Sequence, residues 1–418
     1  MIFGGVPCER LAEEFGTPLW VIDEERIRSN YRRLKHALTA NYREVRIYYA
    51  AKANTSLSVL GILRQEGACL DVASPCEVSA GLKVGYRPEQ MSFTCPNVRN
   101  DELKFLLEKG VMINVDSLSE MERLLKLGVP EIISVRVNPG VGAGCHAYDV
   151  LGGEGSRFGL HKEDTLGAYE MAKRSGVGSF GIHMHIGSGI LQIKPFIDAG
   201  ENLMSVAREV HERVGINFAQ IDFGGGIGIP YRPEERGVNL REFSDGVLGL
   251  FKRRIAGYDL GSPTFCMEPG RSIVGDAALL LTRVNTIKTA SKNFLGVDAG
   301  FNTLVRPALY GAYHHIITTT KESDEEAHDV CEETYDVVGP LCEGSDFLAK
   351  DRKLPKAKEG DLLAVLDVGA YGYAMSSSYI SRPRAPEVLV RGGKYELIRE
   401  REEPNDLLNH QKIASWLE

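Results

Sequence analysis

The sequence predicts an α/β protein, a (β/α)8 barrel of the TIM type joined to a C-terminal all-β, Greek-key-like domain. Three observations carry this. Strands and helices alternate from residue 45 to 138 at a spacing of about 20 residues, the beat of a parallel sheet covered by helices. The count reaches eight strands over roughly 250 residues, the size of such a barrel. Nearly every strand also ends on a polar residue, and strand ends are where barrels of this type place their chemistry.

The elements follow in order. Residues 9–15 suit a short helix stopped by Gly16, residues 18–23 a strand, and residues 24–40 a helix. Arg46 to Ala50 is β-branched and aromatic and reads as the first barrel strand. Strands are then expected at 69–73, 91–95, 111–116 and 132–138, with helices between them stopped by Gly67, Gly85, Gly110 and Gly128. The beat slows, and three further strands come at 179–185, 219–223 and 264–268. From 271 the helical rhythm stops, and strands are expected at 276–290, 294–298, 333–338, 361–368 and 386–399. The barrel is therefore assigned to 24–270 and the β-rich domain to 271–418, with residues 1–23 expected to join the latter. The charged run from Lys321 to Glu326 reads as a solvated loop.

Bulk properties narrow the function. The 418 residues are 43% hydrophobic and 25% charged, ordinary for a globular enzyme. A net charge of −8 argues against nucleic acid or an anionic membrane as the main partner. No apolar run is long enough to span a bilayer, and the first residues do not read as a signal peptide. The eight cysteines are scattered without a C-x-x-C pair, which fits reduced thiols and a cytoplasmic location.

The strand ends bring chemistry into view. Lys52 follows the first strand between small alanines, a poor choice for packing but a good one for an amine that must meet a carbonyl. The other ends offer Asp71, Asn138, His185 and Glu268. Gly224-Gly225-Gly226 lies after the seventh strand and Glu268-Pro269-Gly270-Arg271 after the eighth, the two loops where barrels commonly hold phosphate. A lysine, a phosphate cradle and a carboxylate can together hold pyridoxal phosphate. Glu268 would then face the pyridine nitrogen and His185 the ring face. The His183-Met184-His185 pair could ligate a metal, but no carboxylate or third histidine is near it in sequence, and no metal is expected.

Taken in order, Tyr49-Ala50-Ala51-Lys52-Ala53-Asn54, His183-x-His185-Ile186-Gly187-Ser188, Gly224–Gly226, Glu268–Arg271, Arg306-Pro307-Ala308-Leu309-Tyr310, Gly339-Pro340-Leu341-Cys342-Glu343 and Gly369-Ala370-Tyr371-Gly372 form a pattern. The chain resembles the fold-type III, alanine-racemase-like, pyridoxal-phosphate-dependent decarboxylases over nearly its whole length. The resemblance implies that Lys52 carries the cofactor and that His185, Gly224 to Gly226, Glu268, Pro269, Gly270, Arg271 and Tyr371 hold it. It implies that Arg271, Arg306, Tyr310, Glu343 and Tyr371 bind an amino-acid substrate. Cys342 would return a proton after loss of CO2, from the second subunit of a homodimer with shared active sites.

Arg306 with Glu343 favours a substrate with a carboxylate and an amine at its far end, over ornithine, lysine, arginine or carboxynorspermidine. One departure stands out: Gly344 follows Glu343, where members acting on such a substrate usually carry Ser. A non-catalytic relative would have lost the lysine or the cysteine, and both are present. A racemase needs a second base opposite Lys52, and no tyrosine clearly offers one. The Gly-rich loop 140–155, which includes His146, lies where a mobile lid would sit.

Overall fold

The structure is a computed structural model that describes residues 1–145, 150–153, 155–319 and 332–417. His146, Cys331 and the charged run 321–326 lie outside the described residues. The chain forms two compact units. One comprises Ile27–Pro230 and Glu234–Val274; the other comprises Met1–Arg26, Tyr231–Pro233 and Gly275–Glu418.

The first unit is a closed barrel of eight strands: β1 (Val45–Ala50), β2 (Cys69–Val72), β3 (Met91–Thr94), β4 (Met112–Val115), β5 (Ile132–Val137), β6 (Ser179–Met184), β7 (Gln220–Asp222) and β8 (Thr264–Met267). All neighbours pair in parallel, and β8 closes on β1 through Cys266 beside Arg46. Helices Leu57–Gln65, Pro75–Lys83, Asn100–Lys109, Leu118–Leu127, Lys162–Arg174, Lys194–Val214 and Leu240–Gly257 follow the first seven strands. Their starts are marked by local chemistry. Ser74 and Ser117 each accept a hydrogen bond from the backbone N–H three residues on, at 3.2 Å, relieving an unpaired first-turn donor.

Strand alternation sends every second side chain into the barrel. Its lower interior packs Tyr48, Met112 and Cys266, with Cys69 and Ile132 against them. Asn114 on β4 bonds Ser92 and Thr94 of β3 at 2.8 and 2.7 Å, so its buried amide donors are satisfied.

The second unit is β-rich, and its sheet is mixed. Its strands run in the order Phe347–Pro355, Glu332–Val338, Asn293–Val297, Ala278–Thr289, Leu19–Asp23, Glu387–Arg391, Lys394–Arg399. Leu362–Val365 also pairs with Ala278–Thr289 and carries Ile316–Thr318. Leu19–Asp23 lies antiparallel to Ala278–Thr289 and parallel to Glu387–Arg391. Leu19, Val21, Leu279, Leu281, Val388 and Val390 form the core under it. Two expectations change here. The run 386–399 is a hairpin that turns at Gly392-Gly393, both at positive φ, as a tight hairpin turn requires. Phe347–Pro355 is a strand that the sequence did not announce, because Lys350, Asp351 and Lys353 break its apolar run.

Candidate active site

The site is built outward from Lys52. Lys52 occupies a single 3-10 turn, Ala51–Ala53, at the end of β1. The alanines around it have a packing reason. A Cβ on Gly270 would come within 3.1 Å of both Ala50 and Ala53, so the loop after β8 presses against small side chains only. The Ala50 N–H donates to Pro269 O at 3.2 Å, which ties the two loops together. Lys52 Nζ donates to Asp71 Oδ2 at 2.5 Å; the lysine side chain is 40% exposed while Asp71 is enclosed. Burial, then the charge of Glu268, raises the Asp71 carboxyl, against the pull of Lys52.

Glu268 follows β8 and is buried. Its Oε2 lies 3.0 Å from His183 Nε2, and its Oε1 has no hydrogen-bond partner. Burial works to raise this carboxyl, but the charge and hydrogen bond of His183 and the charge of Lys52 outweigh it and hold it low. Asp222 ends β7 and accepts from the Gly224 N–H at 2.8 Å; burial, then Glu268, pushes its carboxyl well up. His183, Asp222 and Glu268 offer ligand atoms within 4.8 Å of one another. The fold thus gives the histidine motif the carboxylates that are remote in sequence. The His183–Glu268 bond already ties two of the three residues to each other, so the group reads as a buried polar cluster.

The loops after β6, β7 and β8 interlock. Ile190 N–H donates to Gly226 O, and Gly228 N–H to Ile190 O, both at 2.9 Å. Glu268 N–H donates to Gly224 O, also at 2.9 Å. Side chains are excluded from this crossing. Gly224 has φ +68, and a Cβ there would stand 2.2 Å from Met184 O; one on Gly225 would stand 2.2 Å from Glu268 O. His185 Nδ1 accepts from the Gly225 N–H at 3.0 Å, which leaves that nitrogen unprotonated. Enclosure, then the charges of Arg136 and Lys52, lowers the His185 pKa well below its usual value. Buried Arg271 donates from Nε and Nη2 to Ser188 Oγ at 3.3 and 3.0 Å.

Lys52, His185, Gly224, Gly225, Gly226, Glu268, Pro269, Gly270 and Arg271 therefore belong to one unit, at the C-terminal ends of its strands. Asn138 serves the loop after β5: its Oδ1 accepts from the Gly140 and Gly153 N–H groups, each at 3.0 Å. Sequence reasoning assigned no role to His183, Asp222 or Arg136. Buried Arg136 pairs with Asp116 at 3.2 Å, a partner 20 residues away that no local pattern reveals.

The remaining predicted residues belong to the β-rich unit. Arg306 opens the short helix Arg306–Tyr310 and is 2% exposed. It donates to Tyr231 Oη at 3.2 Å and lies 2.9 Å from His314 Nε2; among the described residues it has no carboxylate partner. A buried guanidinium is ordinarily paired. Cys342 and Glu343 are exposed on the turn after Glu332–Val338. Asp346 shapes that turn, accepting from the Leu341 N–H at 2.6 Å and the Phe301 N–H at 2.7 Å. Tyr379 Oη donates to Glu343 Oε1 at 2.6 Å. Tyr371 is held at φ +60, a costly conformation for a residue with a side chain. Tyr310 and Tyr371 are both half-buried.

Residues 24–275 match the pyridoxal-dependent decarboxylase family through its pyridoxal binding domain. A diaminopimelate decarboxylase of Methanothermobacter thermautotrophicus is 50% identical over the whole of this chain and 96% of its own length. One from Archaeoglobus fulgidus is 40% identical over 99% of this chain and 97% of its own. The crystal structure of diaminopimelate decarboxylase from M. jannaschii in co-complex with L-lysine superposes with a TM-score of 0.89 at 32% identity, covering 98% of this chain and 95% of that one. The chain belongs to the pyridoxal-dependent decarboxylases and, among them, to the diaminopimelate decarboxylase family.

Proposed function

We propose that this protein decarboxylates meso-2,6-diaminopimelate to L-lysine, the last step of lysine biosynthesis, with pyridoxal phosphate as its cofactor. The barrel suits that cofactor on its own evidence. The crossing of Gly224 and Gly225 admits no Cβ, so an anion can approach the backbone of this loop closely, while the Gly224 and Gly225 N–H groups are themselves held by Asp222 and His185. Glu268 keeps an unpartnered buried oxygen for a ring-nitrogen donor.

Lys52 would hold the cofactor through its amine, with Asp71 steadying that amine. Gly224 to Gly226 and Glu268 to Arg271, with Tyr371, would hold the phosphate and ring. His185, neutral, would lie against the ring face. When bound, the cofactor supplies an electron sink for the pair that departing CO2 leaves behind. Glu268, kept ionised, would hold a proton on the ring nitrogen and so strengthen that sink. Cys342 Sγ would deliver a proton to the carbon that lost CO2.

The observation that carries the choice of substrate is Arg306, a buried guanidinium whose described partners are a phenol and an imidazole. A carboxylate at the far end of the substrate would supply the missing counter-charge. Glu343 would take the distal ammonium, with Arg271, Tyr310 and Tyr371 completing recognition. The exposed Cys342-Glu343 turn, together with exposed Leu309, Tyr379 and Ile380, suits a face covered by a second copy, so the working form would be a homodimer with shared sites. Among the described residues no helix is long and apolar enough to cross a membrane, and we place the reaction in the cytoplasm.

The test is CO2 release by purified enzyme from meso-diaminopimelate, lysine and ornithine. Diaminopimelate should turn over alone or far faster than the others. The reading fails if it is inert while another amino acid reacts.

A further inference from the structure

His183 has no part in the mechanism above, yet among the described residues it is the one side chain that binds the key carboxylate. It projects from β6 into the barrel and is fully buried. Its Nε2 makes the only hydrogen bond of the Glu268 side chain among the described residues. A packing histidine would need no such partner, and a carboxylate serving only as an acceptor for a ligand would need no such neighbour.

The surroundings say what the bond accomplishes. Glu268 is buried, and burial alone favours a protonated, neutral carboxyl; Asp71 and Asp222 share the enclosure, and their carboxyls are pushed up by burial and by the charge of Glu268. Lys52, His183, His185 and Arg136 act in the other direction, and of these only His183 is in contact. The contact also occupies one oxygen and not the other: Oε2 is taken, and Oε1 has no partner. A neutral Glu268 would be a donor, and it would leave the ring nitrogen of the cofactor unprotonated.

We infer that His183 is a positioning residue that fixes Glu268 as an ionised acceptor, with Oε1 reserved for the protonated ring nitrogen of pyridoxal phosphate. Proton accounting is simple: His183 supplies the hydrogen bond at Oε2, and the proton that Glu268 would otherwise take stays on the ring nitrogen. The inference rests on the reading of Glu268 as the ring-nitrogen partner.

Both can be tested separately, without measuring turnover. Cofactor-free protein is titrated with pyridoxal phosphate and with its 1-deaza analogue, which carries carbon in place of the ring nitrogen. Wild type should prefer the natural cofactor by about tenfold to a hundredfold, the value of one charge-assisted hydrogen bond. In His183→Leu the preference should collapse to within about threefold, the scatter expected of context. His183→Gln, which keeps an N–H donor, should recover much of it. A merely structural histidine would weaken both ligands alike and leave the preference intact, and that result overturns the inference. If His183→Leu does not fold, His183→Phe, closer in volume, gives the same comparison. If wild type binds both ligands equally, the Glu268 reading itself fails. If wild type discriminates and both apolar variants still do, only the His183 inference fails.

Discussion

The two ends of the barrel interior are built from the same strands and do opposite work. At the lower end, β1, β2, β4, β7 and β8 contribute Tyr48, Cys69, Met112, Gln220 and Cys266. These are neutral groups that pack or bond one another, as Tyr48 Oη does to Gln220 Oε1 at 3.1 Å. Two residues further along, β2, β4, β7 and β8 present Asp71, Asn114, Asp222 and Glu268, and β1 leads into Lys52. One step of strand period thus separates a layer chosen for stability from a layer chosen for chemistry. The upper layer accepts costs the lower one avoids: Asp71 Oδ1, Asp222 Oδ2, Glu268 Oε1 and His183 Nδ1 are buried without hydrogen-bond partners. Functional sites are where such costs are tolerated.

Three substitutions press on this contrast. The largest effect is expected at Lys52. Lys52→Ala should lower kcat by about four orders of magnitude or more and let the cofactor exchange on dialysis, with the thermal midpoint of the apo-protein little changed. Retention of near-normal turnover would remove Lys52 from the centre of the site. Below it, Met112→Ala should do the reverse. It leaves a cavity in a packed layer and should cost about 2–4 kcal/mol in urea unfolding, with kcat per folded molecule within about twofold. A large fall in kcat with unchanged stability would erase the division between the layers.

The smallest effect sharpens the contrast by giving one residue both signs. The Asp71 carboxyl is raised to about 7 in the folded cofactor-free protein, burial being the chief cause. The ordinary unfolded value is about 3.9. Between those values the folded state holds the proton more tightly than the unfolded state, so this group's contribution to stability falls as pH rises from about 4 to about 7. Asp71→Asn removes that loss. The variant should match wild type near pH 4 and exceed it by about 1–2 kcal/mol at pH 8, while its kcat falls. The partial exposure of Lys52 limits what losing the ion pair costs. A stability difference that is flat with pH, or that grows toward acid, would contradict this account.

The legible parts of the sequence were those with local causes. Arg46 to Ala50 is β-branched and aromatic, so the strand was visible, and the lysine after it broke the pattern and stood out as a candidate. The glycine loops after β7 and β8 were visible because crossing backbones exclude side chains within a few residues. The relations that matter most inside the site were not legible. His183 and Glu268 are 85 residues apart, and nothing near either announces the other. Phe347–Pro355 hid for a different reason: the charged stretch Lys350 to Lys353 interrupts its apolar residues, and its pairing with Glu332–Val338 makes it a strand. The hairpin at Gly392-Gly393 was present as a glycine pair inside an apolar run, and the turn chemistry was missed there.

The sheet of the β-rich unit carries a consequence for how the protein is made. Leu19–Asp23 is among the first segments to leave the ribosome, yet one of its neighbours, Glu387–Arg391, is among the last. At ordinary synthesis rates the interval is about 20–70 s. During it, the residues that build the barrel can all be completed, while the nascent Leu-Trp-Val-Ile segment still has a sheet edge without its final neighbour. An apolar strand left open is a template for pairing with another chain. Production of this protein should therefore be far more sensitive to truncation after residue 386 than the lack of any predicted site residue beyond it would suggest, and insoluble nascent chains are the form that sensitivity would take.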